Sequence, residues 1–449
     1  MASAKIAGTL KPVAKGHGGV HVAHHKNLAG SPVVTLPTPA SVVLPMSMHI
    51  GAPCDPVVKK GDLVKVGQLI GDSDKFVSAP IYASISGKVT KVGPVRVAQG
   101  RTVNAVTIES DGQMEDADFT VPEINSKEDF LKAVRTSGLV GLGGAGFPTH
   151  VKLNLKPDAK VDSLIVNVAE CEPYITVNHR ECLEHPEDIF DGLENIRKWI
   201  PFEHIYIAIE DNKADAVKVL LKTMDSKPEW KDLAQIVILK SSYPQGAEKV
   251  MIQAVTGRQV PPGKLPADVG CVVMNVESVT TLSRFINTGR PLVSRNLTVD
   301  GSAIAEPKNV KVPIGVKVQD VIDFCGGFKA DPYKVFMGGP MMGIALDSLD
   351  VPVVKNNNAI IAFAQGAMKI KPTRACIRCG RCVQVCPMNL EATKIERMAH
   401  LGNAEALQKA GAMVCMECGS CAYACPSGRP LVQYMRLAKQ IVREAGAKK

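Results

Sequence analysis

The chain has 449 residues, 45% of them hydrophobic and 22% charged, a globular composition with room for about two to four domains. The length excludes a disulfide-stapled miniprotein, and no apolar stretch approaches the roughly 18 uncharged residues of a bilayer span, which excludes an integral membrane protein. The net charge of +9 is uneven: residues 1–368 balance at 39 cations and 39 anions while residues 369–449 carry 14 against 5, and with only Tyr423 and Tyr434 beside those cations no nucleic-acid partner is expected.

Residues 1–50 open without an apolar core or a cleavage site, which predicts a cytoplasmic chain rather than a secreted one. Glycines and prolines break up KGHGGVHVAHHKN and VVTLPTPASVVLPMS, predicting an extended arm followed by a strand. His17, His21, His24 and His25 match no tetrahedral metal spacing and read as a positioned loop. Over residues 51–112 short apolar alternations recur between turns, predicting a small all-β module. Its G-D-x-V-x-x-G-Q-x-I followed by S-G-K-V-T-K-V resembles the barrel-sandwich fold of lipoyl and biotinyl carriers. Lys75 lies near the carriers' modified lysine, but closer to Gly61 than in a lipoyl domain, and a scaffold is expected.

Across residues 126–300 β-like runs (SLIVNVAE, HIYIAIED, IVILK, CVVMNVES) alternate with amphipathic ones (HPEDIFDGLENIRKWI, ADAVKVLLKTM, GAEKVMIQAVTG). Strand and helix in turn predict a parallel, Rossmann-like α/β sheet, with ligands beyond the carboxyl ends of its strands at NVAECEP, IED, SSYPQG and MNVES. Residues 301–350 look like a β-grasp unit of the soluble-ligand-binding type, and a low-charge stretch, NNNAIIAFAQGAMKIKPT, leads into the cysteine-rich tail. The expected fold is thus multidomain α/β.

In residues 369–449 Cys376, Cys379, Cys382 and Cys386 form C-x2-C-x2-C-x3-C-P, and Cys415, Cys418, Cys421 and Cys425 repeat it. Three closely spaced thiolates can hold three corners of a four-iron cubane while the fourth cysteine reaches the other cluster. One [4Fe-4S] cluster is therefore expected on Cys376, Cys379, Cys382 and Cys425, the other on Cys415, Cys418, Cys421 and Cys386. Zinc is the alternative for such thiolate pairs. NLEATKIERMAHLGNAEALQKAGA predicts two short helices between the motifs, an α-helical ferredoxin arrangement. Each cluster site carries roughly −2, so the basic residues partly neutralise buried anions, and the remainder could dock an acidic protein. The scattered Cys54, Cys171, Cys182, Cys271 and Cys325 read as small buried residues, with Cys171 set apart by its glutamate neighbours.

GLVGLGGAGFPTHVKL (138–153) crowds Gly141, Gly143, Gly144 and Gly146 together. Such a loop lets backbone approach a phosphate or flat ring, although plain turns share the pattern. Followed in order by NVAECEPYITVNHR, YPQGAEKVMIQAVTG and VVMNVES, it resembles the flavin- and NADH-binding subunit of respiratory complex I. With the β module in front and the twin motifs behind, nearly the whole chain is most similar to the C subunits of Rnf complexes.

That resemblance implies FMN on Gly141, Gly143 and Gly144, with Lys152, Asn167, Glu170 and Asn275 around its phosphate and ring. It places Glu172 and Glu248 on the NAD(H) side as catalytic residues. It also implies a peripheral subunit of a membrane-bound, ion-translocating ferredoxin:NAD+ oxidoreductase, held at the cytoplasmic face through partner subunits, one of them an iron–sulfur protein. A flavin takes a hydride as an electron pair and releases single electrons, as iron–sulfur clusters require. Leu142, Ala247 and Leu265 depart from the complex I pattern at an arginine, a glutamate and an aromatic, which bears on how a nucleotide sits. A soluble corrinoid reductase and a non-catalytic electron wire remain alternatives.

Overall fold

The computed structural model describes residues 12, 14–98, 100–156 and 158–447. The arm spans several units rather than standing alone. Ala14 bridges to Leu239 and Val20 to Tyr243, the Gly19 N–H donates to the Val385 carbonyl at 2.9 Å, and Val33–Thr35 adds in parallel to the distant strand Lys308–Pro313. The strand Ser41–Pro45 then pairs with Thr102–Ser110, so it belongs to the β module that follows.

That module has two small sheets. Ser41–Pro45, Thr102–Ser110, Gly87–Arg96 and Leu63–Val64 pair in that order, and Asp55–Pro56, Leu69–Asp72 and Ile81–Tyr82 form the other. Alternation turns Val42, Leu44, Val89, Val106 and Ile108 inward, where they share one fully buried core with Ile70, Ile81 and Ile85. Gly87 sits at φ +148°, and an added Cβ would lie 1.9 Å from the Glu109 carbonyl oxygen, so only glycine fits. Lys75 is exposed in its turn, 3.8 Å from Asp74.

Four parallel strands form the central sheet in the order Ala234–Leu239, His204–Glu210, Ser163–Val168, Cys271–Asn275. The run SLIVNV is apolar on both faces because both are covered. Leu164, Val166 and Val168 share a core with Ile189, Phe190 and Leu193, while Ile165 packs with Met251 and Ile252. Helix Pro186–Trp199 shows the local logic: proline at its start, Glu187 and Asp188 in the first turn, Arg197 and Lys198 in the last, and Ile189, Phe190, Leu193 and Ile196 on the buried stripe.

The third unit is a six-stranded mixed sheet in the order Val33–Thr35, Lys308–Pro313, Ser294–Asp300, Ala359–Ala364, Pro332–Met337, Ile344–Ala345. Helix Val318–Phe324 buries Val318, Val321 and Ile322 in the core of this unit. The low-charge stretch before the tail is more than a lead-in: its AIIAFA is an interior strand, buried between Ser294–Asp300 and Pro332–Met337.

In the tail, helices Ala392–His400 and Ala404–Lys409 link the two cysteine motifs, the second capped by the Asn403 side chain. They pack Ile395, Ala399 and Leu407 against Leu431, Met435 and Ala438 of the long final helix. No helix among the described residues is long and apolar enough to cross a membrane.

Candidate functional site

Strand order in the central sheet reverses at Ser163–Val168, the first strand in sequence, which has Cys271–Asn275 on one side and His204–Glu210 on the other. The crevice beyond such a reversal is where doubly wound sheets bind ligands. Asn167 and Asn275 stand in register there on adjacent strands. Asn275 caps helix Val276–Thr288, accepting from the Glu277 N–H at 3.0 Å and donating to Asn178 Oδ1 at 2.7 Å. Asn167 donates to the Gly246 carbonyl at 2.8 Å and accepts from the Ala169 N–H, which holds the loop before helix Glu248–Thr256 against the sheet.

The glycine loop lies against Asn275. Its base is closed by the Val140–Pro148 bridge and by the Gly141 N–H donating to the Phe147 carbonyl at 2.8 Å. A Cβ on Gly143 would come within 2.7 Å of Asn275 Nδ2, so the missing side chain is what lets loop and cap meet. Leu142 is buried, its N–H donating to Ser278 Oγ at 3.1 Å, while the tip at Gly143, Gly144 and Ala145 is exposed. The Gly144 carbonyl accepts from Asn356 at 2.7 Å. The N–H groups of Gly143, Gly144 and Ala145 donate to nothing among the described residues. Three successive free amides in a glycine-rich turn can meet an anion, so the loop fits a phosphate-bearing cofactor.

Lys152 donates to Glu248 Oε1 at 2.9 Å and to the Val273 carbonyl at 2.8 Å. The two residues expected on phosphate and nucleotide therefore form one ion pair. Glu170, at φ +51°, turns its carboxylate onto helix Val177–Glu184, accepting from the N–H groups of Asn178 at 2.7 Å and His179 at 3.2 Å. Glu172 is committed elsewhere, to the N–H groups of Met341 at 3.0 Å and Met342 at 2.8 Å in the third unit. Burial lifts its carboxyl to about 7, with those two bonds and Lys26 opposing.

Sequence reasoning missed two residues that shape this site. Lys26, from the arm, donates to the carbonyls of Glu170, Glu172 and Ile175 at 2.8, 2.9 and 2.5 Å, and burial lowers its ammonium to about 8. Tyr243 is buried beside Val20, Val22 and Cys418, with its hydroxyl donating to the Cys418 carbonyl at 2.5 Å. No local pattern marks either, because both act across more than a hundred residues of chain.

The tail sulfurs fall into two neighbourhoods. Cys386 is an electrostatic neighbour of Cys415, Cys418 and Cys421, and Cys382 of Cys376 and Cys425. Each fourth cysteine thus stands with the other motif. No group of three metal-ligating side chains closes to binding distance among the described residues. Partial burial raises the Cys415 and Cys421 thiols to about 11 and about 12, so these sulfurs need a compensating cation before they ionise, which suits iron ligands. Cys418 is buried against the central unit, whereas Cys376 and Cys379 are exposed.

A strand reversal with Asn167 and Asn275 at its edge, a glycine turn with free amides against Asn275 and a tail of two cysteine motifs fit an iron–sulfur protein that holds a phosphate-bearing cofactor. Residues 134–284 match the Nuo51 FMN-binding domain family, residues 368–426 the 4Fe-4S dicluster domain, residues 14–113 the RnfC barrel sandwich hybrid domain and residues 296–345 the SLBB domain. The chain is 45% identical to the C subunit of the proton-translocating ferredoxin:NAD(+) oxidoreductase complex of Clostridium ljungdahlii, over 96% of this chain and 94% of that one. To the Na(+)-translocating counterpart of Acetobacterium woodii it is 44% identical over 94% and 96%, and to the C subunit of the ion-translocating oxidoreductase complex of Rhodobacter capsulatus 39% over 96% and 84%. A chain of an NAD+-reducing [NiFe]-hydrogenase shares the fold over 70% of this chain and 63% of its own, with TM-score 0.52 and 20% identity. The chain belongs to the C subunits of ion-translocating ferredoxin:NAD+ oxidoreductase complexes, the Rnf family. Its cofactors are FMN and two [4Fe-4S] clusters.

Proposed function

We propose that this chain is the NAD(H)-reacting subunit of an ion-translocating ferredoxin:NAD+ oxidoreductase, carrying electrons between NAD(H), FMN and its two clusters from the cytoplasmic face of the membrane. The three unpartnered amides at Gly143, Gly144 and Ala145, beside the paired asparagines at the strand reversal, carry this reading. FMN supplies two-electron exchange with the nucleotide and one-electron exchange with the clusters.

The chain's own residues do the rest. The loop, closed at its base by Gly141, would cradle the phosphate on the amides of Gly143, Gly144 and Ala145, and Lys152, paired with Glu248, would add a cation. Glu248 would accept hydrogen bonds from the nucleotide. Asn167 and Asn275 line the crevice for the ring, and Glu170 holds helix Val177–Glu184 with Asn178 in place to orient Asn275. Glu172 acts on the nucleotide side through the Met341–Met342 loop it ties down. Cys386, Cys415, Cys418 and Cys421 hold the cluster next to the flavin unit, since Cys418 packs on Tyr243. Cys376, Cys379, Cys382 and Cys425 hold the outer one. The units are a lipoyl-like barrel sandwich, a Rossmann-like flavin domain, a β-grasp unit and an α-helical ferredoxin tail.

Anaerobic purification, with FMN, iron and sulfide assays and spectra on adding NADH, tests the assignment. About one FMN and about eight irons per chain, with flavin bleaching by NADH, are expected. Eight irons without a response to NADH, even after FMN is added back, would leave only an electron wire.

A further inference from the structure

We propose that Arg295 and Asn356, both supplied by the third unit, are positioning residues for the flavin phosphate: they grip carbonyls of the glycine loop and thereby aim its amides. The inference rests on the reading that this loop holds the FMN phosphate. Arg295 lies on strand Ser294–Asp300 and is 1% exposed. Its Nη2 donates to the Leu142 carbonyl at 3.3 Å and its Nε to the Asn357 carbonyl at 3.0 Å, while Nη1 pairs with Glu277 at 2.6 Å. Asn356 donates to the Gly144 carbonyl at 2.7 Å from a turn that is itself fixed. There the Asn357 N–H donates to the Val354 carbonyl at 3.0 Å, and the Val354 N–H donates to Asn357 Oδ1 at 2.8 Å. Arg295 thus holds both the loop and the turn that carries Asn356.

Peptide planarity turns these contacts into a direction for the amides. In a trans peptide the carbonyl and the N–H of one unit point opposite ways, and the units that follow Leu142 and Gly144 are both trans. The Leu142 carbonyl faces a buried guanidinium, so the Gly143 N–H is turned away from the interior, toward the exposed tip of the loop. Asn356 fixes the Ala145 N–H in the same manner, opposite its own amide. Two of the three free amides are therefore aimed by side chains some 150 to 210 residues further along the chain. Glycine at 143 and 144 leaves the backbone wide conformational freedom, and without the two donors an arriving anion would have to order the loop at a cost in affinity. Glu277 offsets the Arg295 charge, so the guanidinium acts on the phosphate through the peptide plane.

The test titrates the full-length, cluster-loaded chain, freed of FMN by anaerobic dialysis, with FMN and with riboflavin, followed by flavin fluorescence. The ratio of the two affinities reports the phosphate alone. Wild type should bind FMN more tightly than riboflavin. Asn356→Ala should weaken FMN about tenfold and leave riboflavin at its wild-type affinity. Arg295→Lys keeps a cation for Glu277 but loses the planar fork that spans two carbonyls, and it should move the ratio the same way. Should Arg295→Lys fail to fold, Asn356→Ala, on a half-buried turn, decides alone. An unchanged ratio in a folded variant overturns the role of that residue. Equal weakening of FMN and riboflavin overturns the proposal as well, since it assigns the contacts to holding the units together. Wild-type protein that binds riboflavin as tightly as FMN overturns the underlying reading of the loop, and the proposal with it.

Discussion

Glu172 is a carboxylate whose surroundings oppose one another. Burial raises its affinity for a proton, while the N–H groups of Met341 and Met342 favour the anion, and the outcome is a carboxyl near 7. Between its ordinary value of 4.5 and about 7 the folded chain holds a proton that the unfolded chain has released. Its contribution to stability is therefore present below 4.5 and lost as pH rises through 7. Glu172→Gln should flatten that part of the stability profile, seen as a difference from wild type in urea midpoints that changes sign or size between pH 5 and pH 8. A constant difference across that range would show that Glu172 does not titrate there. Lys26 has the complementary role of satisfying three carbonyls that the ECEPYI turn would otherwise leave buried and unpaired.

At the scale of elements, the site depends on how helices begin. Asn275 caps helix Val276–Thr288 and also stops the glycine loop from sinking further, because Gly143 rests on it. Asn275→Ala should cost about 1 kcal/mol through the lost cap and release FMN on gel filtration, whereas Asn275→Asp, which keeps the capping oxygen, should regain the stability but not the bond to Asn178. The Tyr243 hydroxyl ties the flavin unit to the tail. Tyr243→Phe removes the bond to the Cys418 carbonyl and should cost about 0.5–1.5 kcal/mol. It should also shift the midpoint potential of one cluster but not the other in an EPR-monitored redox titration. Unchanged potentials would place that cluster away from Tyr243.

Across the whole molecule, three units are tied at Lys355. Its ammonium, 1% exposed, donates to the carbonyls of Pro80 in the β module at 2.6 Å and of Gly138 beside the glycine loop at 2.7 Å. Burial lowers it to about 7 from 10.5. Between those values the unfolded chain binds more protons than the folded one, so this group's contribution to stability rises with pH across that window. Lys355→Met leaves two carbonyls unpaired and should destabilise the chain by about 1–3 kcal/mol. The wild-type rise between pH 7 and pH 9 should disappear in the variant, as read by thermal unfolding.

Much of this was legible from residue order alone, wherever the determining contacts are local. The alternation around GDLVKVGQLI, the two-sided apolar run SLIVNV, the start and stop signals of HPEDIFDGLENIRKW and the spacing of each cysteine motif all act within a turn or a strand. Composition and order therefore sufficed for the β module, the parallel sheet and the cysteine-motif tail. The tertiary structure decided what depends on distant meetings: Val33–Thr35 on a strand some 275 residues away, AIIAFA as an interior strand, and Lys26 under the ECEPYI turn. It likewise set Glu172 on Met341 and Met342, and Lys152 on Glu248. Such partners are chosen by burial and by the need to satisfy polar groups once the units pack, and that choice leaves no periodicity in the chain.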